Sequence, residues 1–281
     1  TCALPILTVA TNGSSNVAQV ATNLDASTKY EYRLLQNDTN SEPEEFTTED
    51  DIQLPNSGFE DWYTDSDGLP KPAKDASSSF WDCGNVNYFG KHIMTTQNDE
   101  TALGQGSSVK METQETMKII AAGNIFTGTF ERDGMGGILT LGRNFECRPN
   151  KLKGYYKYTS AKVSVSKGHL NEGEDDLCSL YIALTDEQIT VNTNKGIYFD
   201  PNSSAVIAYG SISDEESKGA DSFKEFTVDL EYKDLKRIPK YIIVVASSSK
   251  YGDYMEGGKG STMWLDDLEL VYPKSMEEVR K

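Results

Sequence analysis

Paired carboxylates are the chemistry-bearing feature that recurs most along this 281-residue chain. Glu131 with Asp133, Glu146, Asp175 with Asp176, and Asp253 with Glu256 are the candidates. Glycosidic-bond hydrolysis needs two such groups, about 5–5.5 Å apart for retention and about 6.5–9.5 Å for inversion. The chain holds 44 acidic residues, so some pairs arise by number alone, and most are expected to be solvated loop charges. A second pattern is aromatic. Trp81, Tyr88 and Phe89 interleave with Asn85 and Asn87 in a Gly/Asn-rich stretch, where side chains tend to face solvent. Flat rings that stack on sugar CH faces, with amides and guanidinium groups reading hydroxyls, make a shallow saccharide site. In that arrangement Trp81 and Tyr88 stack, while Asn85 and Arg148 read hydroxyls. Tyr155, Tyr156 and Tyr158, with Arg148 and Lys157 nearby, form another cluster. For Tyr156 and Tyr158, as for Trp62 and Phe80, core packing is the expected role.

Other chemistries are poorly supported. His92 and His169 are the only histidines, and no G-x-S-x-G elbow accompanies them. Gly257–Ser261 superficially resembles a phosphate loop. Asp253, however, stands where the first glycine belongs and Gly260 where the Ser/Thr belongs. The segment reads instead as a long turn that could rim a ligand cleft. Cys2, Cys83, Cys147 and Cys178 include no C-x-x-C pair, which argues against structural zinc. Cys178 alternates with Leu180, Ile182 and Leu184 as a core thiol would, and Cys2 lies where a lipid-anchor cysteine would. A net charge of −17 argues against nucleic acid, anionic membranes and polyanionic ligands. No apolar run is long enough for a membrane span. No signal peptide is recognisable, so any targeting segment is expected to have been removed or left out.

The elements that must position these residues are short strands. Met263–Tyr272 alternates, and its better apolar face is Trp264, Asp266, Leu268, Leu270 and Tyr272. A carboxylate on a core face must be paired, hydrogen-bonded or metal-bound, because burying it bare costs several kcal/mol. Glu225–Tyr232 points Phe226, Val228, Leu230 and Tyr232 inward. Tyr241–Ala246 is apolar throughout, as in a central strand covered on both faces. Regular turns between many such strands predict an all-β sandwich or jelly roll over about 52–273. Residues 1–51 read as an Ig-like or fibronectin III-like remnant plus linker. Residues 274–281 form a tail in which Ser275 and Glu278 have capping-box spacing.

Two resemblances sharpen this reading. Asn56–Trp62 and Met263–Tyr272 resemble the first and last strands of jelly-roll carbohydrate-binding modules and galactose-binding-like domains. There a glutamate and an aspartate commonly hold a structural calcium, and the matching positions are Glu60 and Asp266. Ca²⁺ at that pair, or hydrogen bonds from backbone amides without a metal, are the two implied readings. In addition, LPNSGFEDW from Leu54, FWDCGN from Phe80, AAGNIFTG from Ala121, RPNKLKGYYKY from Arg148, EDDLCSLYIAL from Glu174, Val206–Gly210 and the run Ser247–Tyr272 are similar to the putative carbohydrate metabolism domain (PCMD) family of secreted Bacteroidetes proteins. That resemblance implies a β-jelly roll, often after an Ig-like module, in a monomer at the outer-membrane surface or outside the cell, with the periplasm as alternative. An oligo- or polysaccharide would be its partner and polysaccharide utilisation its context. Non-catalytic glycan binding is the leading expectation. A glycoside hydrolase and a structural protein-interaction module are the alternatives.

Overall fold

The computed structural model describes residues 24–33, 35–36 and 39–272. The lipid-anchor reading of Cys2 and the tail beyond Tyr272 lie outside the described residues. Within the N-terminal segment, Lys29–Tyr32 pairs with Glu44–Thr47 as an antiparallel hairpin, and Tyr30 stacks on Phe46 at 5.8 Å.

The remainder is an all-β sandwich of the jelly-roll type. Its smaller sheet runs, in spatial order, Thr95–Asn98, Ser108–Glu112, Thr262–Val271, Lys151–Thr159 and Ala220–Asp229. The larger sheet is built around Tyr241–Ser247, with Asn124–Asp133 on one side and Ser179–Thr185 on the other. Strand alternation makes the core between them. Val109, Met111, Phe226 and Val228 of the smaller sheet pack in one cluster with Leu180, Ile182, Ile242 and Val244 of the larger. The larger sheet is also covered on its other face, where Phe126, Leu139, Ala183 and Ile243 form a second cluster with Tyr181 and Tyr209. This double burial is why Tyr241–Ala246 has no polar alternation.

Two backbone irregularities shape the functional surfaces. The long strand Asn124–Asp133 changes partner at Gly128: Asn124–Phe126 pair with the central strand, and Gly128–Asp133 with Gly136–Leu141. Gly128 has φ +154°, and a Cβ there would lie 2.3 Å from the Thr140 carbonyl oxygen, so only glycine fits. The second irregularity corrects the expected phase of the last strand. Tyr155 pairs with Asp266 and Lys153 with Glu269, leaving Asp267 and Leu268 opposite Gly154 alone, with Asp267 at φ +46°. This β-bulge switches the inward set from Met263 and Leu265 to Leu268 and Leu270. Asp266 therefore lies on the face opposite the core, on the same side as Trp264.

Candidate functional site

Asp266 is buried although it faces away from the core, because the loop between Asn98 and Ser108 covers it. The Ala102 amide donates to Asp266 Oδ2 at 2.9 Å. Glu60 grips the same loop: the Ser107 amide donates to its Oε1 at 3.0 Å, and Gln97 Nε2 to its carbonyl at 3.1 Å. A Cβ at Gly106 would sit 2.0 Å from Glu60 Oε1, so the loop closes on the carboxylate only with glycine there. The two acids thus hold the same loop, at Ala102 and at Ser107. Backbone amides donate to both acids, and among the described residues no three His, Cys, Asp or Glu side chains form a metal-holding group.

Burial pushes the Asp266 carboxyl up to about 6, and the charges of Asp267 and Glu60 add to the effect. A carboxyl raised from its ordinary 3.8 is best tolerated protonated, so its contribution to stability is complete below about 3.8 and lost as pH rises through about 6. At pH 7 Asp266→Asn should therefore raise the melting temperature, by about 1–2 kcal/mol in stability. The variant should also lose the stabilisation that the parent gains between pH 7 and 5. Thermal unfolding with and without EDTA checks this; a bound calcium would reverse the sign and make the parent sensitive to the chelator.

Three of the four residues expected to touch a sugar are structural. Trp81 is fully buried. Its Nε1 donates to the Pro55 carbonyl at 2.8 Å and its ring meets Phe59 edge-on at 5.4 Å, so the expected stacking role is corrected to core packing. Asn85 is also buried: its Oδ1 accepts from the Met94 and Thr95 amides, and its Nδ2 donates to the Thr95 and Pro70 carbonyls. No capacity is left to read a hydroxyl. Arg148 pairs with Glu49 and donates to the Arg237 carbonyl, which ties the linker to the sandwich.

Tyr88 occupies a different setting. It lines a cleft of ≈ 400 Å³ walled by three hairpins and one turn. The hairpins are Val86–Asn87 with Lys91–His92, Gln114–Thr116 with Ile119–Ala121, and Asn124–Asp133 with Gly136–Leu141. The turn is Gly252–Tyr254. Arg132 lies 4.1 Å above the Tyr88 ring, and Phe89 packs beside Tyr88 at 4.3 Å, giving the rim a layered cation–aromatic edge. The hairpin tips carry apolar side chains into solvent: Phe89 is 92% exposed, Met117 83% and Met135 52%. Phe89 (φ +53°), Met117 (+50°) and Lys118 (+64°) adopt left-handed backbone, where Gly or Asn is the unstrained choice. Each such residue costs about 1–2 kcal/mol, a strain characteristic of working surfaces.

Asp253 is the only carboxylate among the described residues that line the cleft. It is half-buried, and among the described residues it has no hydrogen-bond or ion-pair partner. Burial pushes its carboxyl up to about 6. A smaller pocket of ≈ 40 Å³ shares Asp253, Asn124 and Leu139 with the cleft and reaches Phe126 and Tyr181. The turn carrying Asp253 is clamped by rings: Tyr254 stacks on Tyr198 at 3.9 Å, and Tyr251 on His169 at 4.3 Å. Behind them, Glu256 accepts from the Lys167, His169 and Leu170 amides and contacts His169 Nδ1 at 3.1 Å. Glu256 is thus committed to holding a loop. So is buried Asp176, which accepts from Ser249 Oγ and from the Gly258 and Leu177 amides. Asp175 is ion-paired with Lys162, and Asp133 accepts from Asn192 Nδ2. None of the candidate carboxylate pairs has both members on the cleft wall. Of the wall residues, Tyr88 is expected from the sequence as a ligand contact and Asp253 as a candidate carboxylate; Arg132, His92 and Met117 are not. The available signal was an apolar tip, Phe89 or Met117, where a turn calls for Gly or Asn.

The profile of the family described as "Putative carbohydrate metabolism domain" (PCMD) matches residues 44–271. The chain belongs to the PCMD family. Two solved Bacteroides structures resemble this PCMD chain, each described as a putative glycoside hydrolase. The one from Bacteroides vulgatus shares 22% identity at a TM-score of 0.55, over 78% of this chain and 94% of its own. The one from Bacteroides thetaiotaomicron shares 22% at 0.52, over 92% and 72%. At that identity the likeness establishes the sandwich fold. No curated protein matches the sequence.

Proposed function

We propose that the three-hairpin cleft binds an oligo- or polysaccharide without cleaving it, in a protein that works outside the cell or at its surface. The observation that carries this is the cleft wall. Phe89, beside Tyr88, offers an exposed stacking face, Arg132 and His92 offer donors, and Asp253 is the single carboxylate among the described residues that line it. One carboxylate can accept a hydroxyl proton in a hydrogen bond; it cannot supply both groups that glycosidic cleavage needs. Membership of a carbohydrate-related family supports the ligand class.

A panel of soluble glycans titrated by calorimetry tests the proposal, with released reducing ends measured in parallel. Binding without product is expected. Product formation, lost in Asp253→Asn, would support the hydrolase reading instead. Binding should also weaken several-fold as pH falls through about 6, because protonated Asp253 loses its charge as an acceptor. The dependence should persist in His92→Gln and vanish in Asp253→Asn.

A further inference from the structure

We infer that the cleft selects a saccharide carrying an apolar substituent, an acyl, alkyl or aryl group, over the same sugar unsubstituted; the inference rests on the saccharide-binding reading. The first reason is how few polar atoms the cleft has to spare. Gln114 Nε2 already donates to the Ile93 carbonyl at 2.8 Å. Asn124 Oδ1 accepts from the Gly84 amide at 2.8 Å, and Thr193 Oγ1 from the Gly137 amide at 2.9 Å. Each is thereby partly used, as is Arg132, whose Nη1 donates to the Gly134 carbonyl, so the polar groups free to read a ligand are few beside the apolar wall. A bare sugar filling ≈ 400 Å³ would set many of its hydroxyls against apolar side chains, and each one left unpaired is penalised.

The second reason is what the rest of the wall is made of. Met94, Ile119, Ala122, Leu139 and Met255 line it, with Met117 and Met135 at the rim. A wall of this kind gains free energy from apolar area removed from water, and methionine adapts to irregular shapes. The third reason is the strained tips. Phe89 and Met117 are held in left-handed backbone, a strain that clusters at working surfaces, and they expose apolar area that an apolar ligand group would cover. A ligand with both a sugar and an apolar substituent accounts for both the few polar groups and the methionine-rich wall.

The test compares methyl and octyl glycosides of glucose, galactose, mannose, xylose and arabinose, below the micellar concentration, with 1-octanol as the non-sugar control. For at least one sugar the octyl glycoside should bind tenfold or more tighter than the methyl glycoside. Met117→Asn, whose side chain tolerates the left-handed turn, should fold with an unchanged or higher melting temperature and cut that ratio to threefold or less. Equal affinity for methyl and octyl forms would overturn the inference and leave saccharide binding intact. Octanol binding as tightly as the octyl glycosides would overturn both, since the sugar would then contribute nothing. No binding of any octyl glycoside, with glycans still bound, would overturn the inference alone.

Discussion

Trp81→Ala should destabilise the sandwich by about 3–5 kcal/mol, lowering the melting temperature by roughly 10 °C, while leaving glycan affinity within about twofold of the parent. The indole is fully buried between Phe59 and Phe80, at 5.4 and 6.0 Å between ring centres. Removing it opens a cavity in the main core and strips the Pro55 carbonyl of its only indole donor. The strand Trp81–Asp82 pairs with Phe126 and Thr127 of the larger sheet, which fixes the backbone that carries the ring. Denaturant unfolding and calorimetry on the same preparation separate the two effects. A variant of normal stability that has lost its ligand would mean that the ring reaches the binding surface after all.

Glu256→Ala should be comparably costly, about 3–5 kcal/mol, and should also weaken ligand binding at least tenfold. Its carboxylate is buried and accepts three backbone amides from the loop Lys167–Leu170, besides contacting His169. Deleting it leaves those donors without an acceptor in the interior. His169 would lose the contact that orients it against Tyr251 and Tyr254, and the turn bearing Asp253 would loosen. Burial pushes the Glu256 carboxyl up, but the Leu170 amide and the His169 contacts outweigh burial and hold it below 4.5. For a depressed carboxyl the stabilisation is present above about 4.5 and lost as pH falls through its folded value. The gap in stability between parent and Glu256→Ala should therefore narrow between pH 7 and pH 3. A gap that stays constant over that range would mean the carboxylate's charge is not what holds the loop.

Much of the sandwich was legible because strand alternation is a local signal. Phe226, Val228 and Leu230 point inward as their spacing requires, and Cys178, Leu180 and Ile182 do the same in the opposite sheet. The apolar run Tyr241–Ala246 identified the doubly covered central strand for the same reason. Asp266 was placed on the wrong face because a bulge at Asp267 shifts the phase, and nothing in MWLDDLELVY marks it. Of the two rings expected to stack, Tyr88 lies on the cleft wall and Trp81 in the core. Trp81 and Tyr88 lie seven positions apart in similar surroundings, yet pairing with Thr127 buries the first and a hairpin tip exposes the second's neighbour, Phe89. That difference depends on contacts distant in sequence. Arg132, Met117 and Asp253 come to the cleft from separate elements, so no local pattern could unite them.

Hydrogen–deuterium exchange with and without the best glycan from the panel tests the cleft assignment most directly. Slowed exchange is expected in Val86–His92, Gln114–Ala121, Arg132–Gly137 and the Tyr251–Met255 turn. Protection confined instead to the outer face of the smaller sheet, around Lys110, Lys157 and Trp264, with the three hairpins unchanged, would contradict it.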